Sequence, residues 1–148
     1  MVLDLMAYKE SLQIGERAGK RVIYDPIRRK YLIVQPEELV RQLLLQYLLQ
    51  EKQYDKNRIA IEKGITINGR IKRFDMFVYR KDMSAFMLIE CKAPTVKLDD
   101  ATFRQAAWYN FELRADYLLV TNGISSHCFA INHDEKSYQQ LAQIPDFE

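Results

Sequence analysis

With 148 residues, 48% apolar and 28% charged, the chain has the composition of one ordinary globular domain with a single core and excludes a disordered segment. Its formal net charge of +2 permits a nucleic-acid partner without arguing for one. No run approaches a membrane span, the start "MVLDLMAYKESL" lacks the basic end and apolar stretch of a signal peptide, and two cysteines without paired Cys/His spacing suggest neither disulfide framework nor zinc site, so the expected compartment is the cytoplasm.

Residues 1–20 carry weak signals and are expected to form an irregular arm or a short helix, with 21–148 as one α/β domain. "RVIYDPIRRKYLIV", Arg21 to Val34, sets two β-rich runs around Asp25-Pro26, the pattern of a hairpin or an extended lead-in. Gln35-Pro36-Glu37-Glu38 then opens a helix, because proline is tolerated in a first turn and acids suit the positive end of the helix dipole. Leu39, Gln42, Leu43, Gln46, Tyr47 and Gln50 follow helical spacing; Leu44, Leu45, Leu48 and Leu49 widen the apolar stripe, which predicts a well-buried helix running to about Tyr54. Three strands follow: "RIAIEKGI", then "RFDMFVYR" after an Asn68-Gly69 turn, then "AFMLIECK" after the Lys81–Ser84 turn, closed by Pro94. The pattern from about Leu98 to Leu113 is helical, "DYLLVTN" is a buried strand, and "SSHCFAINHD" and "SYQQLAQI" make a final pair of strands.

Asp75 interrupts an apolar strand between Phe74 and Met76, where a carboxylate must be paired, hydrogen-bonded or metal-bound. Glu90 and Lys92 end the next strand two residues apart, so they share one face while Cys91 points to the other, into the core. Strands paired with their ends in register bring Asp75 and Glu90 to one point. Two convergent carboxylates without His or Cys favour a hard divalent cation, Mg²⁺ or Mn²⁺. Lys92 is then placed to orient or deprotonate an attacking water, or to offset charge on a phosphate. Plainer roles compete with these: an ion pair of Asp75 with Arg73 or Lys72, a solvated Glu90–Lys92 pair at the strand end, and ordinary helix packing for Trp108 and Tyr109. The basic group Arg70, Lys72 and Arg73 is a candidate phosphate contact or a solvated turn. Glu62 in "IAIEKGI" is a third acidic ligand, a DNA-facing carboxylate or a solvated strand residue.

Asp75 followed by "IECK", as Glu90-x-Lys92, resembles the PD-(D/E)xK nuclease signature, with Phe74 where the namesake proline would stand. "FRQAAWYN" places Gln105 and Tyr109 at i and i+4 on one helical face, similar to the Gln-x-x-x-Tyr motif of several such nucleases. "YDPIRRKYLIVQPEELVRQ", "IAIEKGI", "KRFDMFVY", "ECKAP" and "YLLVTNG" resemble more closely the N-terminal nuclease domain of the restriction subunit of type I restriction enzymes, from about Val22 to the C-terminus. Single motifs of this kind are weak, but the ordered set on strand, strand and helix is specific. The resemblance implies a restriction-endonuclease-like core of helix, three strands, helix and strand, with additional β-strands at both ends. It also implies Asp75 and Glu90 as metal ligands, Lys92 as the catalytic lysine, and Gln105 and Tyr109 as positioning groups for water or DNA. The resemblance further implies an acidic ligand from the first helix, with Glu38 preferred over Glu37.

The expected function is therefore metal-dependent hydrolysis of DNA phosphodiesters, with DNA as substrate and the motor or modification subunits of a restriction system as partners. No Walker-type loop is present, so ATP-driven translocation does not carry over to this chain. The rivals are a catalytically silent DNA-binding or partner-docking module of the same fold, and a stand-alone repair nuclease.

Overall fold

The computed structural model describes residues 1–148, apart from the side chains of Glu62 and Lys63. Residues Leu5–Ser11 form a 3-10 helix whose Leu5 is buried in the cluster built on the first α-helix. Strands β1 (Ile14–Arg17), β2 (Lys20–Asp25) and β3 (Lys30–Ile33) make a small antiparallel sheet in that order. The β2–β3 connection at Asp25-Pro26 is thus a hairpin, held by Asp25 Oδ1 accepting from the backbone N–H groups of Ile27 and Arg28.

Helix α1 (Pro36–Gln50) starts where the Pro-Glu-Glu signal places it. It ends at Gln50 and not near Tyr54, because Gln53 takes a positive φ of 55° and the Tyr54 N–H turns back to the Leu48 carbonyl. Neither glycine nor proline marks that stop.

Six strands form the main sheet in chain order: β4 (Ile59–Ile67), β5 (Arg70–Tyr79), β6 (Ala85–Cys91), β7 (Tyr117–Thr121), β8 (Ser126–Asn132) and β9 (Ser137–Leu141). The β4–β5 turn is Asn68-Gly69, with φ of 51° and 77°; two left-handed residues in a row are what a two-residue hairpin turn of the twist-matched type requires. Only β6 and β7 are parallel, and the crossover between them is helix α2 (Asp100–Leu113). Asp99 caps α2 by accepting from the Thr102 N–H at 3.0 Å, and Arg114 closes it in a left-handed conformation.

The central strands of the sheet are buried on both faces. Met87, Ile89, Cys91 and Leu119 pack with Leu44, Leu45 and Leu48 of α1, while Leu88, Leu118 and Val120 pack with Phe103 and Ala107 of α2. Alternate residues of each central strand thus serve opposite helices, which is why "FMLIEC" reads as a continuous apolar run. Among the described residues no helix is long and apolar enough to cross a membrane.

One irregularity positions the site. The β5–β6 ladder ends at the Met76–Ile89 pair; beyond it β5 runs on beside β4 as far as Arg70, and β6 runs on beside β7 as far as Cys91. The sheet forks at the point where the sequence sets Asp75, Glu90 and Lys92.

Candidate functional site

Past the end of that ladder the Cys91 N–H has no partner on β5's backbone and donates instead to Asp75 Oδ2 at 2.7 Å. Asp75 Oδ1 accepts from Arg41 Nη2 at 2.9 Å, so the partner of this buried carboxylate is neither Arg73 nor Lys72 but an arginine of α1. Arg41 is itself buried, and its Nη1 donates to Glu38 Oε1 at 3.1 Å. Glu38 also accepts from Arg28 Nη2 at 3.1 Å and from Gln42 Nε2 at 3.2 Å, and Arg28 Nε donates to Asp25 Oδ2 at 2.7 Å. A relay of charge-assisted bonds therefore runs from the small sheet through α1 to Asp75.

Glu90 lies on the other branch of the fork, buried and far less well served. Its Oε2 is 3.8 Å from Lys92 Nζ, and its Oε1 is buried with no hydrogen-bond partner among the described residues. Burial pushes its carboxyl up to about 7; the Asp75 charge adds to this, and Lys72 and Lys92 oppose it. Glu37, half exposed at the start of α1, has its carboxyl raised by burial and then by the Asp75 charge and a hydrogen bond with Asp75, against the pull of Arg41 and Lys92. One turn register decides between neighbours here. Glu37 faces the Asp75 carboxylate, whereas Glu38, the acid expected to join the metal ligands, is held by Arg28, Arg41 and Gln42.

A small cavity of about 30 Å³ lies against Glu90, lined by Lys72, Phe74, Lys92, Gln105 and Tyr109. That is room for a water or a small ion. Gln105 and Tyr109 both point into it from α2, while Trp108 between them is 63% exposed and packs on no core. Lys72 Nζ stands 5.3 Å over the Tyr109 ring and 5.8 Å from that of Phe74. Arg70 lines an adjoining cleft with Lys72, and Arg73, between Lys72 and Phe74, alternates to the other side of the strand. Glu62 lies outside the described residues.

The acidic groups that could take a cation are Glu90, whose Oε1 accepts no bond from the described residues, Asp75, through lone pairs not used by Arg41 and Cys91, and Glu37. Among the described residues no three acidic, His or Cys side chains gather closely enough to make a metal cage unaided. Sequence reasoning missed Arg41. A signal was there: Arg41, Leu45 and Leu48 fall at i, i+4 and i+7, which places a cation on the stripe that enters the core.

Comparison with known proteins agrees with this architecture. The family described as type I restriction enzyme R protein N terminus matches residues 36–145, from the first residue of α1 to beyond β9. No curated protein matches the chain. Among solved structures, the fragment assigned as an HsdR subunit of a type I restriction enzyme from Vibrio vulnificus YJ016 is similar in fold, with a TM-score of 0.55 and 18% identity over 76% of this chain. The match covers 24% of that chain, so the present chain corresponds to about a quarter of it.

Proposed function

This chain belongs to the family of type I restriction enzyme R protein N termini, and we propose that it is a DNA-cleaving module of that kind, hydrolysing phosphodiester bonds with a divalent cation held at the fork of the sheet. The observation that carries the proposal is Glu90: a buried carboxylate whose Oε1 has no hydrogen-bond partner among the described residues, beside a second carboxylate, in the lining of a cavity that also holds Lys72 and Lys92. Unpaired buried charge of that kind is costly and is a common mark of a binding site.

The donor set fits a hard cation. Only oxygens are available, which suits Mg²⁺ or Mn²⁺ held by Asp75 and Glu90, with Glu37 within reach and the remaining positions filled by water and phosphate. When bound, the cation supplies an acidified water and a counter-charge for the phosphate. The chain's own groups do the rest. Arg41 and the Cys91 N–H fix the Asp75 carboxylate from two sides. Lys92, free to swing from Glu90, orients the attacking water or offsets charge on the phosphate in the transition state. Gln105 and Tyr109 position the strand across the cavity, and Lys72 adds a cation at its rim. The order of α1, three strands, α2 and β7 supports the PD-(D/E)xK core arrangement. In this reading DNA is the substrate, and the motor or modification subunits of a restriction system are the partners.

One observation favours a second reading, a module of the same fold that binds without cutting. Both Asp75 oxygens already carry a hydrogen bond, as they would in a purely structural carboxylate. A carboxylate has about four lone-pair positions, so the bonds from Arg41 and Cys91, even with the one shared with Glu37, leave a position for a cation. Supercoiled plasmid separates the readings: conversion to nicked circles with Mg²⁺ or Mn²⁺, abolished by chelator, is expected. Plasmid retarded on a gel but never nicked with either cation selects the second.

A further inference from the structure

The tip of the β4–β5 hairpin and the outer side of α2 carry side chains that cleavage itself does not use. Trp108 is 63% exposed and Ile71 is 70% exposed, and both line an open cleft of about 380 Å³ together with Arg70, Lys72 and Tyr109. Across Trp108 lies a second cleft of about 370 Å³, bounded by Arg104, Gln105 and Tyr109. Each is within the size range of sites that hold small organic groups. Lys72 and Tyr109 belong to the first cleft and to the Glu90 cavity, and Gln105 and Tyr109 to the second cleft and that cavity, so the surface is continuous from the fork to the indole. Trp108 stands nearly perpendicular to Phe111, with ring centroids 6.4 Å apart, a contact that steadies the indole while leaving most of it open.

Single exposed apolar residues are common and mean little. This group differs in its company: an indole and an isoleucine interleaved with Arg70, Lys72 and Arg104, and no acidic residue among the described residues lining either cleft. Cations that follow a phosphate backbone, with aromatic faces between them, are the means by which proteins hold unpaired nucleic-acid strands. Bases inside a duplex have both faces stacked and offer nothing to an indole. We propose that Trp108 is a stacking platform for an unpaired DNA base beside the cleavage site, with Arg70 and Arg104 holding the phosphates to either side. The module then grips a locally opened strand in preference to uniform duplex. This rests on the nuclease reading above, because the platform is defined by its continuity with that site.

Trp108 is the single tryptophan of the chain, so its fluorescence reports the contact directly. The probes are a single-stranded oligothymidylate, a duplex of equal length and the same duplex with a short central bubble, titrated in chelator so that nothing is cut. The indole emission is expected to be quenched by the single strand and the bubble far more than by the duplex. Trp108→Ala should weaken single-strand binding about tenfold, followed with a dye-labelled strand, while Trp108→Phe keeps most of it and neither variant shifts the melting temperature. Equal affinity for single strand and duplex, or wild-type binding by Trp108→Ala, overturns the platform and leaves the nuclease reading standing. A chain that binds none of the probes yet nicks plasmid does the same and assigns the clefts to a protein partner. A chain that neither binds nor nicks removes the nuclease reading itself.

Discussion

Glu38 and Glu90 are buried to the same degree, 8% exposed each, and sit in opposite surroundings. Glu38 receives two guanidinium groups and a side-chain amide, and the cations that reach it are bonded in turn to Asp25 and Asp75. Glu90 has one lysine at the edge of contact and an oxygen with no hydrogen-bond partner among the described residues. Both carboxylates lost the same water on folding, and only the first had it replaced. Burial therefore does not tell the two carboxylates apart; how completely the buried charge is satisfied does. Asp75 joins the two regions, bonded to the closed relay through Arg41 and repelling Glu90 across the fork.

Substitutions that separate work from support test this contrast most severely. Lys92→Ala removes a group that is 37% exposed and bonded to little, so the melting temperature and metal affinity should hardly move. Plasmid nicking should fall by about 10²–10⁴, the usual loss for a positioned base or electrostatic group. Wild-type nicking by that variant would remove Lys92 from the site. Glu38→Ala should do the reverse. It leaves the Arg28 and Arg41 cations short of their shared carboxylate inside the protein, and stability should drop by about 3–5 kcal/mol in urea unfolding. A drop below about 1 kcal/mol would mean that the relay is not the structural half of the comparison.

The sequence made one of these regions readable and hid the other. Asp75, Glu90, Lys92, Gln105 and Tyr109 were legible because each falls on a strand or helix whose period can be counted, and the Asn68-Gly69 turn fixes where β5 begins. The relay was not. Whether Glu37 or Glu38 turns toward Asp75 depends on how α1 is rotated against the sheet, a tertiary choice set by which leucines fill the core, and helical spacing is indifferent to it. Arg41 escaped for a related reason: an arginine three residues after a glutamate reads as a solvated pair, and only its burial makes it a bridge. The fork was invisible as well, since apolar runs on β5 and β6 do not announce where their ladder ends.

The unsatisfied carboxylate should also show in how stability depends on pH. The folded chain holds the Glu90 proton up to about pH 7, while an unfolded glutamate releases it near 4.3. Between those values the folded state carries more protons, so this residue's contribution to stability falls as pH rises through that window. Glu90→Gln removes the dependence. In the absence of metal the variant should match wild type near pH 4 and exceed it by about 1–3 kcal/mol at pH 8, read from urea midpoints at the two values. Equal stability at pH 8 would mean that Glu90 is as well solvated as a surface acid. Cation binding must discharge the same proton, so affinity for Mg²⁺ should rise with pH across neutrality.

Glu37→Gln is the gentlest test and bears on the boundary between the two regions. The side chain is half exposed, so its loss should change stability by no more than about 0.5 kcal/mol, in contrast to Glu38 one residue on. Its charge is nevertheless one of those that raise Glu90, together with Asp75. Taking that charge away stabilises ionised Glu90, so the Glu90 carboxyl should titrate at a lower pH, and the pH at which Mg²⁺ affinity reaches half its maximum should move down with it. Carbon-13 NMR of the labelled side-chain carboxyls gives the first quantity, and calorimetric titration at several pH values the second. A downward shift in both places Glu37 among the groups facing the cation. An unmoved Glu90 titration with unchanged stability assigns Glu37 to the solvated start of α1, whereas a loss as large as that of Glu38→Ala would extend the closed relay by one more acid and narrow the open site to Asp75 and Glu90.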